Sequence, residues 1–360
     1  MQQPKPIKIC LVGQSLAFGG AEKAMGELSI YFDSIGFDVH NVIVLDAIAY
    51  PFAGALLNLG KLKTGSNNVF DKARRFRTLR NYLRDNSFDF IIDFRVRVSF
   101  VQEFFIRTVL YNAPVYYTVH SAIPELYFPK KTWQARAVYA KADGIVAVSN
   151  GVKATVERIF ELRNVATIPN AVDFRQIGER AHEPIAVNDK FIVAAGRMDD
   201  DVKQFAKLIA VYSKSGLPAS GIRLVILGDG KLRAEIEAAA DENVVFTGFV
   251  ENPYAWFSKA EFFVLSSKKE GLPMVILESL ACGTPVIAFD CESGPSEMID
   301  HEQNGLLVAD QNWDALLEAM NRLAADSSLL AYFRENAASG IQRFSVQNVG
   351  RQWLDYLKIP

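Results

Sequence analysis

The chain has 360 residues, half of them hydrophobic and 22% charged, with a net charge of −2. That length exceeds one ordinary core and fits two domains, and the mixture excludes a disordered or collagen-like chain. Three cysteines, Cys10, Cys282 and Cys291, show neither a disulfide framework nor metal-ligand spacing, and no apolar run is long enough to cross a bilayer. A cytoplasmic protein is therefore expected.

In chain order, short apolar runs alternate with helical periodicity. IKICLVG (7–13), VHNVIVLD (39–46), FDFIIDF (88–94), APVYYTVH (113–120) and DGIVAVS (143–149) read as buried strands. FRQIGERAHEPIAVNDK (174–190) is polar and reads as a linker. The rhythm restarts with FIVAAG (191–196), IRLVILG (222–228), NVVFTG (243–248), AEFFVLSS (260–267) and TPVIAF (284–289). Continuous apolar strands imply parallel sheets covered on both faces. The fold class expected is α/β, with two Rossmann-like doubly wound domains facing a cleft: residues 1–175, then 176–342. The last stretch, 343–360, is expected as a helix packing back on the first domain.

The two halves differ in charge. Up to Arg175 there are 22 Lys and Arg against 15 Asp and Glu, and the rest carries the opposite imbalance. Lys72, Arg74, Arg75, Arg77, Arg80 and Arg84 lie on one predicted helix, whose Phe76, Leu79 and Leu83 make its apolar face. Its solvent face suits anionic lipid headgroups or an acceptor pyrophosphate, with Lys61, Lys63 and YPFAGALLNLG joining the same surface. No nucleic-acid-binding module accompanies the charge, so nucleic acid is not a predicted partner.

In open parallel sheets, ligands bind beyond the strand carboxyl ends, where helix N-termini offer free amides. After AEFFVLSS come Lys268-Lys269-Glu270-Gly271-Leu272-Pro273-Met274 and, eight residues past Glu270, Glu278. The Gly-x-Pro turn can present amides to a phosphate, and Glu278 lies where a carboxylate accepts bonds from two sugar hydroxyls. Two glutamates at this spacing alone read better as an exposed loop residue and an ordinary helix residue. After IKICLVG, Gly19-Gly20 open a helix, either for close approach of a ligand or as a tight turn. His120 ends a strand. Asp199-Asp200-Asp201 has the chemistry of a divalent-ion site, but it directly precedes a helical pattern and reads as first-turn acids; no metal site is assigned.

Taken together, Ser266–Glu278 and Ala281-Cys282-Gly283-Thr284-Pro285 resemble the E-x7-E donor site of family-4 retaining glycosyltransferases with the GT-B fold. Gly196-Arg197, Gly228-Asp229-Gly230, Gly248-Phe249, Gly294-Pro295-Ser296-Glu297 and Asn304-Gly305 match at fitting intervals, and Gly19-Gly20-Ala21-Glu22 matches more loosely.

The resemblance implies Arg197 and Lys203 on the donor diphosphate, although Lys203 stands one residue later than the family pattern. It places Glu270 on the transferred sugar, Glu278 on the ribose and His120 in a positioning role. Gly19, Gly20, Gly196, Gly248, Phe249, Gly271, Leu272, Pro273 and Met274 are implied to line the donor site. No cofactor is expected beyond the nucleotide-sugar substrate, a UDP-sugar. The activity implied is metal-independent, retaining transfer of a hexose or N-acetylhexosamine to a glycan or lipid-linked glycan, in lipopolysaccharide, capsule or other surface-polysaccharide synthesis. A peripheral position on the inner face of the plasma membrane is compatible with it. GDP-mannose as donor, a nucleotide-sugar epimerase and a silent glycan-binding subunit are the alternatives.

Overall fold

The computed structural model describes residues 5–64, 69–187 and 189–359. It divides into two compact units, one of Met1–Ala171 with Val346–Pro360 and one of Val172–Ser345.

In the first unit, seven parallel strands form one sheet: β1 (Lys8–Gly13), β2 (Asp38–Ile43), β3 (Ala55–Asn58), β4 (Phe90–Asp93), β5 (Val115–Val119), β6 (Gly144–Ala147) and β7 (Val165–Thr167). Their order is β3-β2-β1-β4-β5-β6-β7. The connections carry α1 (Gly20–Ser34), α2 (Val69–Asn86), α3 (Phe100–Phe105), α4 (Thr132–Tyr139) and α5 (Asn150–Phe160). Ile9, Leu11, Val39, Ile92 and Val146 pack against Met25, Leu28 and Phe32 of α1. Helix α5 starts where the Ser149 hydroxyl accepts the Val152 N–H at 3.2 Å, occupying one of the donors a helix N-terminus leaves open.

The second unit is built likewise. Helix α6 (Phe174–Arg180) leads into β8 (Phe191–Ala195), α7 (Phe205–Lys214), β9 (Arg223–Leu227), α8 (Arg233–Ala238), β10 (Val244–Gly248) and α9 (Tyr254–Phe257). Then follow β11 (Phe263–Leu265), α10 (Met274–Ala281), β12 (Val286–Asp290), β13 (Gly305–Ala309), α11 (Trp313–Ala325) and α12 (Ser327–Asn336). All strands pair in parallel in the order β10-β9-β8-β11-β12-β13. The final helix α13 (Val346–Leu357) returns to the first unit, where Val349 and Trp353 join its core.

Both sheets reverse direction of growth at their first strand: β1 lies between β2 and β4, and β8 between β9 and β11. At such a point the loops leaving the two central strands diverge to opposite faces and open a crevice beyond the strand ends. The topology therefore singles out the loops after β1 and β4 in one unit and after β8 and β11 in the other.

Three sequence expectations are corrected. The stretch 174–190 is not simply a linker, because Asp173 accepts the Arg175 and Gln176 N–H groups at 3.0 Å and caps α6. Ile177 on that helix is buried, and Asn188 lies outside the described residues. Within YPFAGALLNLG, Ala55–Asn58 is β3 and Leu59 is buried, so part of that stretch belongs to the sheet rather than to free surface. Asp199-Asp200-Asp201 does not form a first helical turn, since α7 begins at Phe205 after Gln204 in left-handed conformation (φ 54°).

Candidate functional site

The acids of that triplet instead build the loop after β8. Asp200 accepts the Val202 N–H at 3.0 Å, and Asp201 pairs with Lys268 at 2.6 Å. The Lys268 N–H donates to the Val202 carbonyl (2.9 Å) and the Ser266 hydroxyl to the Lys203 carbonyl (2.8 Å). Gln204, almost fully buried, donates from Nε2 to the Ser266 carbonyl at 2.8 Å and to Gln311 Oε1 at 3.0 Å. The loops leaving the two central strands of the second sheet are thereby fastened together. Their fastening brings Lys203 Nζ within 2.5 Å of Glu270 Oε1, with the side chains 19% and 13% exposed. A pair held that far from solvent is a fixed charge arrangement rather than a floating surface contact.

Glycines make the room for this pair. A Cβ on Gly196 would stand 2.9–3.1 Å from the aliphatic stem of Lys203, so the stem lies across the end of β8 only because that residue is glycine. A Cβ on Gly228 would meet the Gly196 carbonyl at 2.0 Å, and the Gly228 N–H donates to the Gly248 carbonyl at 2.9 Å. The carboxyl ends of β8, β9 and β10 thus form a bare backbone ledge. Arg197, exposed, follows Gly196 directly, and Phe249, 82% exposed, follows Gly248.

On the β11 side, Gly271, Leu272, Pro273 and Met274 carry the chain into α10, whose first amides have no carbonyl one turn back to bond. Ser293 braces this turn, its hydroxyl donating to the Glu270 carbonyl and, at 3.3 Å, to that of Gly271. Gly294 (φ 98°) presses against it so closely that a Cβ would lie 2.5 Å from Pro273 Cδ. Glu278 is buried on the second turn of α10. Two cations, a ledge without side chains and a helix N-terminus are features that favour an anionic ligand.

In the first unit, Gly19 precedes α1 and Gly20 begins it; a Cβ on Gly19 would lie 2.6 Å from the Glu22 carboxylate. Phe18, beside them, is 74% exposed with φ 73°, a conformation that costs a phenylalanine energy. His120 follows β5, its ring stacked on Phe94 at 5.4 Å between centroids. Both ring nitrogens are buried without a well-formed hydrogen bond, beside a pocket of about 20 Å³ also lined by Thr118, Asn170 and Trp353. Burial, with a contribution from Arg97 and only weak opposition from Asn170, pushes its pKa down to about 3. The imidazole is neutral at physiological pH.

A cluster that the sequence reading passed over follows β4, in Asp93-Phe94-Arg95-Val96-Arg97. Arg95 meets Asp93 at 2.7 Å and Glu103 at 3.0 Å, Tyr111 donates its hydroxyl to Asp93 at 2.7 Å, and Arg97 stands 3.6 Å from Asp93. Arg97 is fully buried, donating to the carbonyls of Asp93, Arg95 and Thr118 and facing the rings of Tyr117 and Tyr127. The two cations and two anions balance. The signal was present as two arginines directly after a buried strand, a place where uncharged residues would otherwise be expected.

The structure thus joins Lys203, Glu270 and Gly196, with Gly248 and the Gly271–Met274 turn on the same unit, while Gly19, Gly20 and His120 belong to the other. The exposed basic residues Lys72, Arg74, Arg77, Arg80 and Arg84 lie along α2, as does the less exposed Arg75.

Comparison with known proteins agrees with this architecture. Residues 18–176 match the family model described as Glycosyltransferase Family 4, and residues 189–326 the one described as Glycosyl transferases group 1. The N-acetylgalactosamine-N,N'-diacetylbacillosaminyl-diphospho-undecaprenol 4-alpha-N-acetylgalactosaminyltransferase of Campylobacter jejuni is 28% identical, over 95% of this chain and 97% of that one. A mutant of Staphylococcus aureus TarM, solved with fondaparinux, alpha-GlcNAc-glycerol and UDP, superposes with a TM-score of 0.77 at 15% identity, covering 98% and 99% of the two chains. Anabaena HepE in complex with UDP-glucose gives 0.74 at 19% identity, covering 98% and 99%. With two parallel-sheet units of GT-B type and both family models matched in series, the chain belongs to the family-4 glycosyltransferases.

Proposed function

We propose that this glycosyltransferase moves an N-acetylhexosamine or hexose from a UDP-sugar onto a lipid-linked glycan during bacterial surface-glycan assembly, with retention of configuration and without a metal ion. The observation that carries the reading is the convergence of Lys203 and Glu270 at 2.5 Å, at the point where the second sheet reverses. The Campylobacter relative, whose name gives an acceptor on diphospho-undecaprenol and an N-acetylgalactosaminyl donor group, supports the substrate class. The UDP complexes of the structural neighbours support the nucleotide.

In this reading the second unit is the donor domain and the first the acceptor domain. Arg197 and Lys203 neutralise the diphosphate as the glycosidic bond breaks, where fixed cations lower the barrier most. The amides of Met274 and the residue after it receive phosphate oxygens. Glu278 accepts the ribose hydroxyls, Phe249 covers the base, and Glu270, released from Lys203 as the phosphate arrives, accepts bonds from hydroxyls of the transferred sugar. The acceptor attacks on the face the diphosphate leaves, and the leaving phosphate oxygen takes its proton. His120, neutral, has a positioning role and does not act as the base. The α2 cations meet the acceptor pyrophosphate or anionic headgroups. Among the described residues no helix is long and apolar enough to cross a membrane.

Calorimetric titration with UDP and GDP in EDTA tests the donor site. UDP binding that weakens at least tenfold in Arg197→Ala and Lys203→Met supports it. Preference for GDP points to a mannosyl donor, and no binding of either nucleotide sinks the assignment.

A further inference from the structure

The helix α3 and the wider helical turn that continues it to Leu110 have their polarity reversed. Val101 is 76% exposed, and Phe104, Phe105 and Val109 are 43–46% exposed. Their spacing places them on one outward stripe, while the inward face holds Glu103, paired with Arg95, beside Ile106 and Leu110. Single exposed apolar side chains are ordinary, but a helix-long stripe of them is a contact surface. The stripe widens on both sides. Trp133 of α4, 59% exposed, stands 5.3 Å from Phe100, and Phe76 of α2 stands 4.8 Å from Phe105.

Through Phe76 the stripe abuts the helix carrying Arg74, Arg77, Arg80 and Arg84, all exposed. On its other side Lys130 and Lys131, also exposed, directly precede α4 and Trp133. The one exposed acid on α2 is Asp85, and it is paired with Arg84. An aromatic and aliphatic stripe between two banks of cations has the composition of an interfacial membrane anchor, in which apolar groups enter the acyl boundary and arginines reach anionic headgroups.

We propose that the stripe Val101–Phe104–Phe105–Val109, with Trp133, docks the first unit onto an anionic lipid bilayer. The charge pattern selects this occupant over a second copy of the chain, since a two-fold interface through this face would set the same cations against themselves. The proposal deepens the reading of α2 as a headgroup contact and rests on it for its electrostatic part. The apolar stripe is the new element.

The test is sedimentation of the purified protein with vesicles of phosphatidylcholine alone and of phosphatidylcholine mixed with phosphatidylglycerol, at low and high salt, without donor or acceptor. Two variants carry it: Phe104→Ser with Phe105→Ser, and Val101→Asp with Val109→Asp. The second pair changes well-exposed positions and keeps the test valid if the first perturbs folding; an unchanged melting curve checks both. Binding to anionic vesicles that partly survives high salt, and falls at least tenfold in either folded pair, is the expected result. If Arg77→Glu with Arg80→Glu abolishes binding but both stripe pairs leave it intact, the headgroup reading stands and the stripe is overturned. Wild type that ignores anionic vesicles overturns both, and a dimer in size exclusion that the stripe variants dissolve assigns the face to self-association instead.

Discussion

Asp93→Asn removes one full charge from the balanced cluster after β4 and changes little else. Asp93 is wholly buried, and Arg95 and Arg97 are 6% and 0% exposed. The variant leaves one buried positive charge without a counter-ion, and breaking a buried pair from one side costs about 3–5 kcal/mol. With a urea slope of about 2–3 kcal/mol/M, the unfolding midpoint of the first unit falls by about 1–2.5 M. Glu103→Gln behaves differently. Burial pushes the Glu103 carboxyl above its ordinary range and Arg95 offsets this only in part, so its ionised form contributes less stability to the folded chain than that of Asp93. The expected loss there is about 1 kcal/mol or less.

The pH dependence has the opposite sign for the two acids. Burial raises the Asp93 carboxyl, but Arg95, Arg97 and the hydrogen bonds of Arg95 and Tyr111 outweigh it and hold it below the ordinary value. Its stabilisation is therefore complete above the unfolded value near 3.9 and is lost as pH falls through the folded one. Urea titrations by circular dichroism at pH 7 and at about pH 2, well below the unfolded value, measure both effects. Equal losses for the two variants, or a loss below about 1 kcal/mol for Asp93→Asn, would refute the assignment of Asp93 as the keystone of the cluster.

Gly294→Ala forces a Cβ to within 2.5 Å of Pro273 Cδ at φ 98°, so it is expected to cost about 1–3 kcal/mol and weaken UDP binding in titration calorimetry. Gly196→Ala pushes on the Lys203 stem; it is expected to lower nucleotide affinity more than the melting temperature, read by calorimetry and a thermal shift on the same preparation. Asp173→Ala removes the cap of α6 and should cost about 1 kcal/mol in urea unfolding. His120 stays neutral when folded, so the unfolded chain takes up its proton first as pH falls from about 6.5. Stability then drops by up to about 1.4 kcal/mol per pH unit, and His120→Phe is expected to flatten that slope.

The strands that carry the two sheets were legible because burial on both faces makes them continuous apolar runs. Three that were not read as strands, β3, β7 and β13, lie at sheet edges and are three to five residues long, with polar neighbours that hide the pattern. The α6 cap was hidden by the polarity of the stretch behind it, though Asp173 is a residue type that starts helices. At the candidate site, the spacing of Glu270 and Glu278 and the glycines pointed to the loops that leave the central strands of the second sheet. What spacing does not contain is a contact across 67 residues, the Lys203–Glu270 pair, nor the part of Gln204 and the acid triplet in building it. The triplet's acidity was read as helix-dipole matching because α7 was expected to start earlier; the left-handed Gln204 delays it. The apolar stripe of α3 was read past for a related reason: exposure, not composition, separates a core helix from a docking one.

The account stands most directly on transfer itself. Purified protein, a UDP-linked N-acetylhexosamine, a diphospho-polyprenyl glycan and EDTA are combined, and product is followed for wild type and Glu270→Ala. Transfer to an α-linked product by the wild type, reduced at least a hundredfold in the variant while UDP still binds, is the predicted result. Transfer that depends on an added divalent ion, or that proceeds undiminished without the Glu270 carboxylate, would contradict it.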